Sequence, residues 1–170
     1  MNVITIVLRL IHILAGVFWV GSSLVSAFFL SPALAATGEA GQKMMAHMIQ
    51  KGRMSVRITA AAILTVLAGA ILYWRDSQGF TSPWTYSGAG WGFGIGAVAA
   101  LIGLGFGMQV GMSAKKLGGI AAAAKGQPTP EQIAEMQAAQ KSMSSASNIS
   151  TVALIIALAC MATARYWGVG

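Results

Sequence analysis

The sequence contains few charged residues, and acidic residues are the scarcest. Only 9% of the 170 residues are charged, and the Asp and Glu residues all lie outside the long apolar runs, at Glu39, Asp76, Glu131 and Glu135. Carboxylate-pair and triad mechanisms need an acid beside the reacting group. The sequence therefore gives no support for hydrolytic or acyl-transfer chemistry within a membrane, or for proton-driven transport.

Cysteine and N-terminal basic residues are also scarce. Cys160 is the only cysteine, so no disulfide can form within the chain. No Lys or Arg precedes Arg9, although a signal peptide cleaved after "ALA" at residues 33–35 is a rival interpretation. The apolar run exceeds a signal-peptide core of roughly 7 to 15 residues, and Arg9 and His12 interrupt it. We therefore expect a membrane span here.

Apolar residues dominate what remains. They form 56% of the chain, and the mean hydropathy is +0.69. Four long apolar runs lie at about residues 3–30, 54–74, 88–112 and 149–166. A helix of roughly 20 residues crosses a hydrocarbon core, and the runs lack the alternation of a membrane strand. The sequence predicts an all-α membrane protein, with residues 1–170 forming a single domain that is an up-down bundle of four transmembrane helices.

The basic residues lie mainly on one side of this predicted bundle. Arg9, Arg75 and Arg165 lie on one side, and the first and third loops carry the others at Lys43, Lys51, Arg53, Arg57, Lys115, Lys116, Lys125 and Lys141. By the positive-inside rule these two loops are cytoplasmic, and the termini are periplasmic in a bacterial inner membrane. The net charge of +7 is explained by this topology and by anionic lipid, so we expect no nucleic-acid partner.

The loops contain their own structural signals. Ser31-Pro32 predicts the end of the first helix, and a short interfacial helix is expected from Gln42 onward. Thr129 and Pro130 match the N-cap and first position of a further helix. That helix either extends the bundle into the cytoplasm before the fourth span or is only a solvated link. The second loop is rich in aromatic residues that favour the headgroup layer, at Trp74, Trp84, Tyr86 and Trp91.

Glycine is concentrated in the third span. It forms two rows at a spacing of four, 88-92-96 (continued by Ala100) and 103-107-111. Such rows allow close helix packing, either within the bundle or across a homo-oligomer or larger membrane complex. A flat wall for a porphyrin or lipid is the alternative.

His12 is the main candidate for chemistry. One stripe of the first helix contains Thr5, Arg9, His12, Gly16, Trp19, Ser23 and Ser26. An ionisable residue within a span usually faces a partner, a cofactor or a water path. We expect His12 to be an axial ligand of haem b. Gly16 would leave room for the edge of the porphyrin, and Trp19 would lie beside it. A hydrogen bond to a neighbouring helix, or a proton path, remains open.

A haem at His12 needs further groups. Arg9, Arg75 and Arg165 are expected near the outer surface, where propionates emerge. The second axial ligand is expected from Met108, another methionine such as Met161, or a partner chain. Without one, the iron is five-coordinate.

Copper is the alternative metal. Met44, His47 and Met48 share one face of a helix, and His12 is a further possible ligand. Thioether and imidazole groups suit Cu(I). Amphipathic packing at the membrane surface explains the same pattern.

Parts of three spans resemble a known family. The motif His12-x3-Gly16-x2-Trp19-x-Gly21, "GRMSVRITAAAILTVLAGAILYW" and "NISTVALIIALACMATARYW" resemble the four-helix relatives of the copper-resistance protein D (CopD)-like superfamily, and more distantly HemJ-type proteins. The resemblance implies an inner-membrane bundle in which His12 is a haem or metal ligand.

Three functional hypotheses follow. The first is a haem b protein that acts in electron transfer or as a redox subunit, without a catalytic residue of its own. The second is a non-catalytic accessory subunit that packs against a larger complex through its third span. The third is a copper-handling membrane protein.

Overall fold

The fold is built from long helices. The computed structural model describes residues 2–123 and 127–168, and within them no strand is present. The helices are α1 (Val3–Val25), α2 (Ser31–Gln50), α3 (Met54–Asp76), α4 (Gly88–Ala123) and α5 (Pro130–Thr163), with a π-helical turn at Ser26–Leu30 and 3₁₀ turns at Pro83–Tyr86 and Ala164–Tyr166. Four helical segments of this described part of the chain are long and apolar enough to cross a membrane. The predicted fold class, an all-α four-helix membrane bundle, is confirmed.

The predicted helix end at Ser31-Pro32 is wrong. The helix continues from α1 through the π-helical turn into α2. A proline within an α-helix collides with the carbonyl four residues earlier. Here the Ser31 N–H bonds to the Ser26 carbonyl, and this wider turn gives the proline ring room. The backbone breaks instead at Gly38, whose φ of 53° and ψ of −122° suit glycine alone. The helical segment after Gly38 contains the helix that was expected from Gln42 onward.

The helices α4 and α5 form a long hairpin. They contain 36 and 34 residues, so each is about 50 Å long against a hydrocarbon core of about 30 Å. The Thr129 side chain caps α5 in a reciprocal arrangement with Gln132, and Pro130 follows, as predicted. The helix then runs unbroken into the fourth span, so the solvated link is excluded. Lys125 lies outside the described residues.

Glycine packing holds this hairpin together. A Cβ added at Gly92 would lie 2.8 Å from the Ala164 Cβ, and one at Gly96 would lie 2.9 Å from the Met161 Cγ. One at Gly103 would lie 2.8 Å from Leu154 Cδ2. The first glycine row and Gly103 of the second row therefore pack within the chain. Gly105 and Gly111 have no atom within 4 Å of such a Cβ.

The hairpin meets the other two spans in one cluster. α1 packs mainly on α3, and the pair contacts α4 and α5 around four buried residues: Trp19, Ala61, Ala62 and Leu154. Ala100 and Leu104 of α4 complete this cluster. All four long helices thus converge at the level of Trp19.

The two ends of the bundle differ in composition. We call one the aromatic end, after Trp74, Trp84, Tyr86 and Trp91. The other is the basic end, after Lys43, Lys51, Arg53, Arg57, Lys115, Lys116 and Lys141. Trp74, Tyr86 and Trp91 are exposed, as expected of an aromatic belt. Trp84 instead packs inward, with its ring 5.4 Å from that of Tyr73 and 6.2 Å from that of Phe93.

Candidate functional site

The His12 imidazole is held by a neighbouring helix. Its Nδ1 lies 2.8 Å from the backbone carbonyl oxygen of Thr65 in α3. Because a carbonyl can only accept, Nδ1 carries the proton and donates it. In the neutral ring, Nε2 then carries the lone pair. Among the described residues, no hydrogen bond is formed at Nε2, and this atom is not one of the buried atoms that lack a partner.

Gly69 allows this close approach of α1 and α3, and Gly16 lies at the same contact. A Cβ added at Gly69 would lie 2.7 Å from His12 Cε1 and 2.9 Å from Nδ1, so only glycine leaves room for the ring. On α1, a Cβ added at Gly16 would lie 3.4 Å from the Thr65 Cγ2. Gly16 therefore lies against Thr65 of α3.

Sequence reasoning missed Thr65 and Gly69. Thr65 is 8% exposed, and its hydroxyl donates to the Ala61 carbonyl, as threonine often does in a membrane helix. The acceptor for His12 is a backbone carbonyl, which every residue has and which no sequence motif reveals. A small residue one turn after a threonine, in "TVLAG", was the only available signal.

Trp19 lies deeper than His12. It is 3% exposed and belongs to the central cluster, about 10 Å along α1 from His12. The Ser23 hydroxyl donates to the Trp19 carbonyl at 2.9 Å. Ile13 and Leu14 are exposed, so the polar stripe faces the bundle as predicted. The indole fills the core and does not contact the imidazole.

The three predicted propionate partners share the aromatic end. Arg9 is half-buried, about one turn from His12 toward that end of α1. Arg75 lies in the last turn of α3 and Arg165 in the 3₁₀ turn after α5, and both are exposed. The same end therefore carries three cations beyond the imidazole.

Met108 is not brought to His12. Leu104 is level with Trp19 in the central cluster, and Met108 lies one turn further toward the basic end. His12 lies about 10 Å in the opposite direction, so the two differ in depth by about 16 Å. Met161 is level with His12 because it follows Leu154 by two turns, but its side chain packs over Gly96.

The predicted copper ligands lie elsewhere. Met44, His47 and Met48 share a face of α2 toward the basic end, and Met44 and His47 are exposed. Gly38, which precedes them, is already about 39 Å along the helix from His12. The structure thus keeps the two histidines apart. Across residues 2–123 and 127–168, no group of three or more His, Cys, Asp or Glu side chains is arranged to hold a metal.

These features define the class of protein. Four apolar helices and an otherwise helical structure make the chain a small multi-pass membrane protein. Comparison with protein-family models, curated proteins and solved structures finds no match. The resemblance to the CopD-like superfamily therefore stays a prediction.

Proposed function

We propose that this small multi-pass membrane protein binds haem b through His12 and acts in electron transfer or as a redox subunit. The hydrogen bond from His12 Nδ1 to the Thr65 carbonyl carries the proposal. Histidines that ligate metals usually donate their other ring N–H to a carbonyl or carboxylate, which fixes the tautomer and raises the basicity of the ligating nitrogen. His12 has this arrangement, with Nε2 left as the ligand.

The surrounding residues suit an axial ligand. The Thr65 carbonyl orients the ring, and Gly69 leaves it room. Arg9, Arg75 and Arg165 provide positive charge at the same end, where carboxylates are favoured. A bound haem supplies one-electron chemistry that no side chain of the chain provides. Neither Met108 nor Met161 is placed as a second ligand, so the proposal is five-coordinate iron or a ligand from a partner.

The proposed orientation follows from charge. The basic end faces the cytoplasm of a bacterial inner membrane, because short loops rich in Lys and Arg are retained there. His12 and the aromatic end then lie toward the periplasm. A reporter fused to the C-terminus tests this orientation, and a cytoplasmic signal from that fusion contradicts it.

A visible spectrum of the full chain, purified from cells supplied with haem, tests the cofactor. We expect a Soret band that persists in His47→Ala and disappears in His12→Ala. His47→Ala is the matched control, since it removes the only other histidine. Free imidazole should restore the band in His12→Ala, which separates loss of a ligand from loss of fold. A colourless, well-folded wild-type protein overturns the proposal.

An accessory role is the second candidate. The α4–α5 hairpin favours it, because two helices of about 50 Å extend well beyond a hydrocarbon core of about 30 Å. Gly105 and Gly111 also remain open on α4. We expect larger subunits to co-purify under mild detergent, and native mass measurement distinguishes this result from a homo-oligomer. A strictly monomeric preparation contradicts it.

Copper handling is the third candidate. Its proposed ligands are Met44, His47 and Met48, with His12 as a separate site. Metal analysis of colourless protein after loading with Cu(I) tests this, and His47→Ala should then lose the metal. Equal copper content in wild type and His47→Ala excludes a site on α2.

A further inference from the structure

A polar groove lies between α4 and α5 near the basic end. It has a volume of about 330 Å³, and Gln109, Ser113, Lys116 and Ser142 provide its polar lining. The Gln109 Nε2 donates to the Ser142 hydroxyl at 3.2 Å, and the Ser113 hydroxyl is 3.4 Å from the same oxygen. The remaining wall is apolar and is formed by Met112 and two alanines. The groove therefore combines hydrogen-bonding groups with a hydrocarbon surface.

The depth of the groove matches the headgroup layer. Trp91 lies in the aromatic belt, and Lys116 follows it by 25 positions on the same unbroken helix. That separation is about 38 Å, whereas Gln109 is about 27 Å from Trp91. A hydrocarbon core is about 30 Å thick and the whole bilayer about 40 to 45 Å. The groove thus begins at the edge of the hydrocarbon, and Lys116 lies among the headgroups.

Positive charge dominates this part of the hairpin. Lys115, Lys116 and Lys141 lie within about a turn of the groove. The Glu135 carboxylate lies 3.9 Å from the Lys116 ammonium. The Glu135 side chain is 60% exposed and that of Lys116 is 56% exposed. A solvent-exposed salt bridge at this distance contributes little binding free energy. Lys116 can therefore exchange this carboxylate for a phosphate.

We propose that this groove binds the phosphate of an anionic phospholipid headgroup. The Lys116 ammonium pairs with the phosphate, and the Ser142 hydroxyl, which accepts from Gln109 and Ser113, donates its own proton to a phosphate oxygen. Basic grooves between transmembrane helices commonly bind anionic headgroups in this manner. The apolar wall and the depth favour a lipid over a free anion, because they accommodate the glycerol and the start of an acyl chain. The inference does not depend on a haem at His12.

Binding of phosphatidylglycerol to the full chain in detergent tests the proposal, with phosphatidylcholine as the neutral comparison. Lys116→Ala should weaken phosphatidylglycerol binding about ten-fold, the effect of losing one direct charge-assisted hydrogen bond. Lys115→Ala removes the same charge from the same helix turn, but its side chain does not line the groove. We expect that control to change binding less than two-fold.

Further variants separate the groove from other causes. Ser142→Ala, which keeps every charge, should also weaken binding, and Lys116→Arg should retain it. Equal losses in Lys116→Ala and Lys115→Ala overturn the proposal, because they indicate diffuse surface attraction. The proposal is also overturned if millimolar inorganic phosphate displaces bound phosphatidylglycerol as well as added lipid does, because a free anion is then the ligand. Circular dichroism confirms that each variant is folded.

Discussion

Gly69→Ala tests the most specific contact of the candidate site. The added Cβ would lie 2.7 Å from His12 Cε1 and 2.9 Å from Nδ1, closer than folded proteins tolerate. The imidazole must therefore move or the two helices must separate. Either response disturbs the 2.8 Å hydrogen bond to the Thr65 carbonyl.

The expected magnitude follows from a comparison with Gly105→Ala. Both changes replace a helical glycine, and both therefore gain about 1 kcal/mol in helix propensity. Gly105 has nothing within 4 Å of an added Cβ, so its variant should keep this gain and be stabilised by up to about 1 kcal/mol. At Gly69, overpacking costs about 1 to 3 kcal/mol, and loss of the hydrogen bond costs about 0.5 to 1.5 kcal/mol. The two variants should differ by about 1.5 to 4.5 kcal/mol.

Unfolding in detergent by titration with sodium dodecyl sulfate, followed by circular dichroism, measures this difference. We expect Gly69→Ala to unfold at a clearly lower denaturant fraction than both wild type and Gly105→Ala. If the two alanine variants have equal stability, the imidazole does not pack on Gly69. The reasoning about its tautomer then fails as well, because the same packing places Nδ1 on the carbonyl.

Three further changes test the bundle in the same unfolding assay or by hydrogen exchange. Trp19→Ala should lower the free energy of unfolding by about 3 to 5 kcal/mol, because the indole is 3% exposed. Phe18 is 49% exposed, so Phe18→Ala should lower it little, and similar losses in the two variants would contradict the central cluster. Ser150→Ala removes a 2.8 Å bond to the Gly103 carbonyl and should cost about 0.6 kcal/mol; an unchanged midpoint would argue against this bond. Thr129→Ala should cost about 1 kcal/mol and speed amide exchange in the first turn of α5, and unchanged exchange would exclude the cap.

The sequence predicts the parts of the fold that depend on local composition. The four spans follow from hydropathy, and the start of α5 follows from Thr129 and Pro130, because capping needs only neighbouring residues. The helix end at Pro32 was wrong for the opposite reason. Whether a proline ends a helix depends on the turn before it. Here the wider π-helical turn leaves space for the Pro32 ring, so the helix continues. The break at Gly38 depends on a backbone angle that glycine permits but does not require.

The candidate site was predicted in part. His12 stood out because an ionisable side chain in an apolar run is costly, and its position on the inward stripe followed from helix geometry. Thr65 and Gly69 could not be identified, because they depend on the register between α1 and α3. That register follows from close packing at Gly16 and Gly69, which pairs two segments more than 50 positions apart. The difference in depth between Met108 and His12 likewise follows only from how the helices pack in the bundle.

A structural and a ligating histidine differ in how they use the second ring nitrogen. The bond from Nδ1 to the Thr65 carbonyl serves both, since it would equally join two helices. The distinction therefore depends on Nε2. The four helices converge at Trp19, about 10 Å deeper, whereas the described contacts of the imidazole are with α3. A purely structural role uses Nδ1 alone, whereas Nε2 is not among the buried atoms that lack a partner and is therefore open to a further group. A ligating role uses both nitrogens, Nδ1 on the Thr65 carbonyl and Nε2 on a group supplied from outside the α1–α3 pair.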